Sequence, residues 1–215
     1  MRETEWEAMV WEVEKLLGVS MPDGSLDIER IFGVLTRLSV EKGFLLDWDY
    51  CGSPGFDGYP VLYSRRTDEV PCDNLDTLGS HENDDREFPF RVVCDDTPAG
   101  FCELGIFRIL GDQFSLFWHA NYRRRCVICG EASLARLRSW GELAEVPESV
   151  LTRVRAVDLN PTITVSADVV SVGFVSFSSW KGFVYEETDF KRGRPHRVVA
   201  TRARVLAEYD CGIIF

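Results

Sequence analysis

The sequence predicts an α+β fold, an N-terminal helix pair packed on a mostly antiparallel sheet, in a single domain over residues 1–215. Three observations carry this expectation. Apolar residues recur at helical spacing up to about residue 43, and the period drops to two from Phe44 onward. Helical and strand-like segments do not alternate as a doubly wound sheet would require.

The first helix takes its stripe from Trp6, Met9, Val10, Val13, Leu16 and Leu17, with Glu5, Glu7, Glu12, Glu14 and Lys15 expected on the solvated face. Gly18 and the turn Met21–Ser25 end it. A second helix is expected from Asp27 to Lys42 on Ile28, Ile31, Phe32, Leu35 and Leu38, with Gly43 as its stop. Phe44–Trp48 and Pro60–Ser64 predict strands around the Gly-rich loop Cys51–Gly58. Asp68–Asp85 is polar and acidic enough to be a loop. Phe88–Cys94, Gly100–Leu110 and Gln113–Arg123 predict further strands, the last two joined by a Gly111-Asp112 hairpin turn. Ala132–Trp140 predicts a short helix, and Glu142–Val150 a helical turn around Pro147. Strands are then expected at Ile163–Ala167, Val169–Phe177, Gly182–Glu187 and Val198–Glu208.

A hydrophobic fraction of 45% over 215 residues supports a sizeable core without disulfides or metal. The longest uncharged apolar run, Val169–Phe177, is too short to span a bilayer, so no membrane association is expected. The acidic Met1–Glu7 lacks the pattern of an export signal. A cytoplasmic location with reduced cysteines follows as the expectation. Cys94, Cys102 and Cys211 then stand as small buried hydrophobes.

Cys126-Val-Ile-Cys129 has a recognisable chemical spacing. It could share a structural zinc, with Cys94, Cys102 or His119 completing the ligands, or act as a redox pair. No second CxxC and no HxxxH accompanies it, which favours two ordinary thiols at a strand end; no other cofactor is expected. His81-Glu82-Asn83-Asp84-Asp85 and Asp47-Trp48-Asp49 gather oxygen donors without the spacing of an EF-hand loop. No GxSxG elbow and no phosphate-cradling glycine loop is present.

Charge is the strongest bias. The chain carries −11 overall, and the window 47–112 holds 15 Asp/Glu against 5 Lys/Arg. The basic clusters Arg123–Arg125 and Lys191–Arg197 are expected to balance this acid or to stay solvated. A pI near 4.8 argues against direct nucleic-acid binding. The first functional expectation is therefore an acidic protein-binding module for a basic partner, such as a toxin or a nucleic-acid-acting enzyme. The acids of the loops, Asp57, Asp68, Glu69, Asp73, Asp76, Glu82, Asp84 and Asp85, would form the contact surface. In size, acidity and mixed patterning, though not in any specific residue, such a module resembles immunity- or antitoxin-like inhibitors. A second expectation is an enzyme with a carboxylate or metal site drawn from Asp47, Asp49, Asp84, Asp85, Asp95 and Asp96. A third is a homo-oligomeric structural or regulatory subunit that associates through aromatic strands at 101–118 and the apolar C-terminus.

Overall fold

The chain begins its first helix, α1 (Glu5–Gly18), with a reciprocal cap. The Thr4 hydroxyl accepts the Glu7 backbone N–H at 3.2 Å, and the Glu7 carboxylate accepts the Thr4 N–H at 2.8 Å. The computed structural model describes residues 4–18, 28–51, 59–70, 91–112 and 124–212. Val10 and Val13 of α1 are buried in a first core, with Trp6, Met9 and Leu16 packed against it.

The expected solvated face of α1 needs correction. Glu7 is 1% exposed, and Glu14, two turns later on the same side, has a side chain 9% exposed. Burial pushes the Glu14 carboxyl up to about 7, against the attraction of Arg124 at 4.0 Å and a hydrogen bond from the Val127 backbone, and its Oε1 has no hydrogen-bond partner among the described residues. Because the folded pKa lies above the unfolded one, this group's contribution is fully present below pH 4.5. It is lost as pH rises through about 7. Glu14→Gln is expected to stabilise the protein by about 2–3 kcal/mol at pH 8 and to leave it nearly unchanged at pH 4.5. Denaturant titrations of both proteins at the two pH values check this; an equal difference at both refutes it.

Helix α2 (Ile28–Val34) is shorter than the sequence period suggests. The chain leaves the helix because the Arg37 N–H is donated to the buried carboxylate of Glu103 at 2.8 Å. Leu38–Val40 then becomes a strand, β1. Strands β2 (Phe44–Cys51) and β3 (Tyr59–Arg66) form an antiparallel ribbon in register Leu46↔Ser64. Strand β4 (Val92–Cys94) pairs antiparallel with β1, placing Leu38 opposite Cys94.

The largest departure from expectation is Pro98–Gly111, a helix (α3) where a strand over Gly100–Leu110 was expected. Thr97 caps it by accepting the Gly100 N–H, and Pro98 occupies its first turn. Gly111 ends this helix, and the Asp112 N–H returns to the Arg108 and Leu110 carbonyls, so the expected hairpin turn is absent. Of the aromatic residues in the expected 101–118 interface, Phe101 and Phe107 lie fully inside the first core, and Phe114, Phe117 and Trp118 lie outside the described residues, as does the C-terminal Ile213–Phe215. The strand expected at Gln113–Arg123 lies outside the described residues.

The C-terminal half builds a five-stranded antiparallel sheet. Its strands are β5 (Cys126–Ile128), β6 (Thr162–Val165), β7 (Val169–Ser178), β8 (Gly182–Lys191) and β9 (Val198–Ala207). Both β5 and β6 pair with β7, and β8 and β9 follow in order. Strands β6, β7 and β9 sit within a residue or two of their expected spans, β8 runs on to Lys191, and β5 is a strand the sequence reading did not expect. Two helices, α4 (Glu131–Ser139) and α5 (Glu148–Arg155), follow β5. Strand alternation sends Val170, Val172 and Phe174 into the first core and Val175 and Phe177 into a second. Helix α3 covers the first face, where Gly105 lets it approach β7: a Cβ there would stand 2.8 Å from the Phe174 ring. Helices α1 and α2 pack over α3, with the Phe32 and Phe107 rings edge-on at 5.5 Å. Helices α4 and α5 cover the second face through Leu134, Leu137, Val150 and Leu151. All strand pairings among the described residues are antiparallel, and the fold is mixed α+β as the sequence predicts.

Candidate metal centre

The end of β4 and the loop between β8 and β9 bring three potential ligands together. Cys94 closes β4, Asp96 follows two residues later, and His196 arrives from the 192–197 turn. One ligand atom of each lies within 4.8 Å of the other two. Cys94 Sγ is 3.6 Å from His196 Nε2, and Asp96 Oδ1 is 3.5 Å from the same nitrogen.

Local backbone chemistry sets this arrangement. Asp96 adopts φ +61, a left-handed conformation that Asp tolerates better than most residues. The neighbouring Asp95 is spent on structure. Its Oδ1 accepts the Thr97 N–H and hydroxyl at 3.1 and 2.6 Å, and its Oδ2 receives Arg37 at 2.8 Å. Of these two adjacent acids, then, one builds the start of α3 and the other turns toward His196. The imidazole side chain is fully buried, and its ring meets Phe101 edge-on at 4.9 Å. Its Nδ1 faces the Lys191 carbonyl at 3.2 Å. A carbonyl only accepts, so Nδ1 carries the hydrogen, and the tautomer this selects has its lone pair at Nε2.

Cys94 is buried, and burial pushes its thiol up to about 11. The thiol and the carboxylate both stand beside Nε2, at 3.6 and 3.5 Å. Three lone-pair donors therefore converge on a common point. A tetrahedral zinc ion with bonds of about 2.0–2.3 Å separates its ligand atoms by about 3.3–3.6 Å, which matches the two Nε2 distances.

The cluster meets solvent at Asp96. Beside Asp96 lies a shallow depression of about 570 Å³, bounded by Asp168 and the 191–194 turn. Arg194 Nη2 donates to the Cys94 carbonyl at 2.8 Å and stands 3.6 Å from Asp96. Asp96 itself is about half exposed, so the solvent side of the cluster is the carboxylate side.

The residues singled out from sequence are dispersed. Cys126 and Cys129 are not brought together: Cys126 packs in the second core and Cys129 in the first, since residues three apart on a strand face opposite ways. Desolvation raises both thiols far above the ordinary range, Cys126 to about 12. Cys102 is also buried in the first core, and Cys211 is half-buried. Asp68 pairs with Arg66 at 3.2 Å, and Glu69 accepts the Arg66 N–H at 3.0 Å, so both acids serve their own turn. Asp47 holds Arg65 at 2.7 Å. Asp57, Asp73, Asp76, Glu82, Asp84, Asp85, His81 and His119 lie outside the described residues, and so does the side chain of Asp49. Arg125 is neutralised within the molecule by Asp112 and Glu186. No helix among the described residues is long and apolar enough to cross a membrane. No family model, no curated protein and no solved structure matches this chain.

Proposed function

We propose that this protein binds a zinc-class divalent ion through Cys94 Sγ, Asp96 Oδ1 and His196 Nε2, as a metal-dependent enzyme or ligand-binding domain. The observation that carries the reading is the convergence of three chemically different donors, one of them with its tautomer set from behind by the Lys191 carbonyl. A thiolate and an imidazole in one set favour zinc over magnesium or calcium, which take oxygen ligands. Three protein ligands leave a fourth position for water or substrate, on the side where Asp96 meets solvent. There the ion would act as a Lewis acid or lower the pKa of a bound water. The chain's own residues hold the ligands: β4 presents the thiol, the left-handed Asp96 presents the carboxylate, and Phe101 and the Lys191 carbonyl keep the ring in place.

Cobalt substitution tests this. Wild-type protein loaded with Co²⁺ is expected to bind one equivalent and show a thiolate-to-cobalt charge-transfer band. Cys94→Ser is expected to abolish the band. Asp96→Asn, which keeps a residue at ease with positive φ, should weaken zinc by more than about tenfold. Cys126→Ala should leave the band intact. A wild-type protein without the band, or a band that survives Cys94→Ser, refutes the reading.

A further inference from the structure

We infer that the ligand taken at this centre is a small phosphate-bearing molecule, held between the metal's open position and the side chains of Lys191, Arg192 and Arg194. The inference rests on the metal reading above and adds to it a substrate class.

Beside this centre the protein leaves positive charge unspent. Acids outnumber bases by 35 to 24 along the chain. Accordingly Arg37, Arg65, Arg91, Arg125 and Arg202 each sit against a carboxylate. The rim of the depression departs from this pattern. Lys191 and Arg192 are exposed, and among the described residues neither side chain makes a hydrogen bond or ion pair. Arg194 uses a single nitrogen, Nη2, for both the Cys94 carbonyl and Asp96. Its remaining donors are left over on a side chain that is 55% exposed. In a chain so rich in carboxylates, three cations gathered on one short turn are placed for an anion from outside.

The turn is built to hold them there. The Arg192 N–H is donated to the Asp168 carbonyl at 2.8 Å, and the Lys191 N–H to the Arg197 carbonyl at 2.7 Å. The same turn delivers His196 to Cys94, so one loop supplies both a metal ligand and the basic rim. Asp168 also borders the depression. Its charge and those of Asp96 and the Cys94 thiolate offset the three cations. The divalent ion then tips the local balance positive by about two charges, which a phosphate monoester dianion neutralises. Arginine's planar fork suits such an oxyanion in geometry as well as charge. A nucleic acid is disfavoured because the whole particle carries −11 and repels a long polyanion, whereas a compact dianion feels mainly the local field.

The test is a calorimetric titration of inorganic phosphate into full-length, zinc-loaded protein at low ionic strength. Parallel titrations use acetate and a single-stranded oligonucleotide. Saturable phosphate binding is expected in the wild type, weakened by about tenfold or more in the double variant Lys191→Ser/Arg192→Ser, with zinc content unchanged. Protein that takes zinc but not phosphate, or a double variant that binds phosphate as well as the wild type, overturns this inference and leaves the metal reading standing. Acetate or the oligonucleotide binding as tightly as phosphate overturns the ligand class. Protein that takes no zinc overturns the metal reading first, and this inference with it.

Discussion

Gly182→Ala is expected to cost about 3–5 kcal/mol and to lower the melting temperature by roughly 10 °C or more. Gly182 opens β8 directly after the turn from β7, at φ +73. A non-glycine residue there bears about 1–2 kcal/mol of backbone strain. Strain is the smaller part of the effect. A Cβ would overlap the Ala207 carbonyl oxygen and stand 2.5 Å from the Tyr209 nitrogen, and both are backbone atoms with no rotamer through which to withdraw. The segment leaving β9 crosses this turn and is held by the Cys211 N–H donated to the Ser179 carbonyl at 2.9 Å. Tyr209 stacks there on Phe177 at 6.0 Å. Displacing that segment uncovers the end of the second core. Gly141 provides the control, since it has φ +82 but open space around it, so Gly141→Ala should show the strain alone. Thermal unfolding of both variants decides the matter: equal losses would mean that the crossing chain yields freely.

Glu7→Ala is expected to destabilise by about 2–4 kcal/mol, far more than an ordinary helix acid. Glu7 takes part in the start of two helices at once. One oxygen completes the cap of α1, and the other accepts the Ser133 N–H at 2.7 Å and its hydroxyl at 3.2 Å. Helix α4 needs this help because its own cap position is Gly130, which has no side chain to offer. Gly130 is glycine for a matching reason: at φ +155, a Cβ would come within 2.7 Å of the Glu7 carboxylate. Truncating Glu7 strands buried donors from both helices. The pH dependence should identify the carboxylate. Burial pushes it upward, but the hydrogen bonds from Thr4 and Ser133 prevail and hold its pKa below 4.5. A depressed carboxylate contributes above its unfolded pKa and loses that contribution as pH falls through its folded value. The gap between wild type and Glu7→Ala should therefore be full at pH 6 and close as the solution is acidified below pH 4. A gap that stays constant down to pH 3 refutes the ionised cap. Glu14, seven residues along the same helix, carries the opposite sign.

Helix α1 was legible because its apolar residues recur at helical spacing. Strands β7, β8 and β9 were legible as β-branched and aromatic runs bounded by turn residues, whether buried almost throughout, as β7 is, or largely exposed, as β9 is. Helix α3 hides its period because it is enclosed almost all round. An element apolar on every side shows no amphipathic repeat, so Gly100–Leu110 passes for a strand. The Thr97-Pro98 pair, a cap residue followed by a first-turn proline, was the available signal. The acids of α1 misled for a related reason: composition cannot distinguish a solvated glutamate from one that caps a distant helix. The candidate metal centre was partly legible. Asp96 stands among the candidate carboxylates and Cys94 among the possible zinc donors, but His196 lies 102 residues beyond Cys94 in a turn dominated by its charges. Spacing along the chain carries no information about that meeting. The CxxC pair shows the converse, adjacent in sequence and divided by the sheet. The proposal of an acidic docking surface stands on the composition of 47–112, and most of its residues lie outside the described chain.

The double role of Glu7 bears on the order in which the molecule can be made. Its partner Ser133 is 126 residues downstream. At ribosomal rates of about 5–20 residues per second, helix α1 leaves the ribosome roughly 6–25 s before the donor it must cap exists. Helices α2 and α3, which pack against α1, are made within that interval, but the N-terminal donors of α4 are not. Helix α1 therefore waits on α4 for half of the Glu7 network, and a nascent chain stalled before residue 133 would hold that carboxylate without its Ser133 donors.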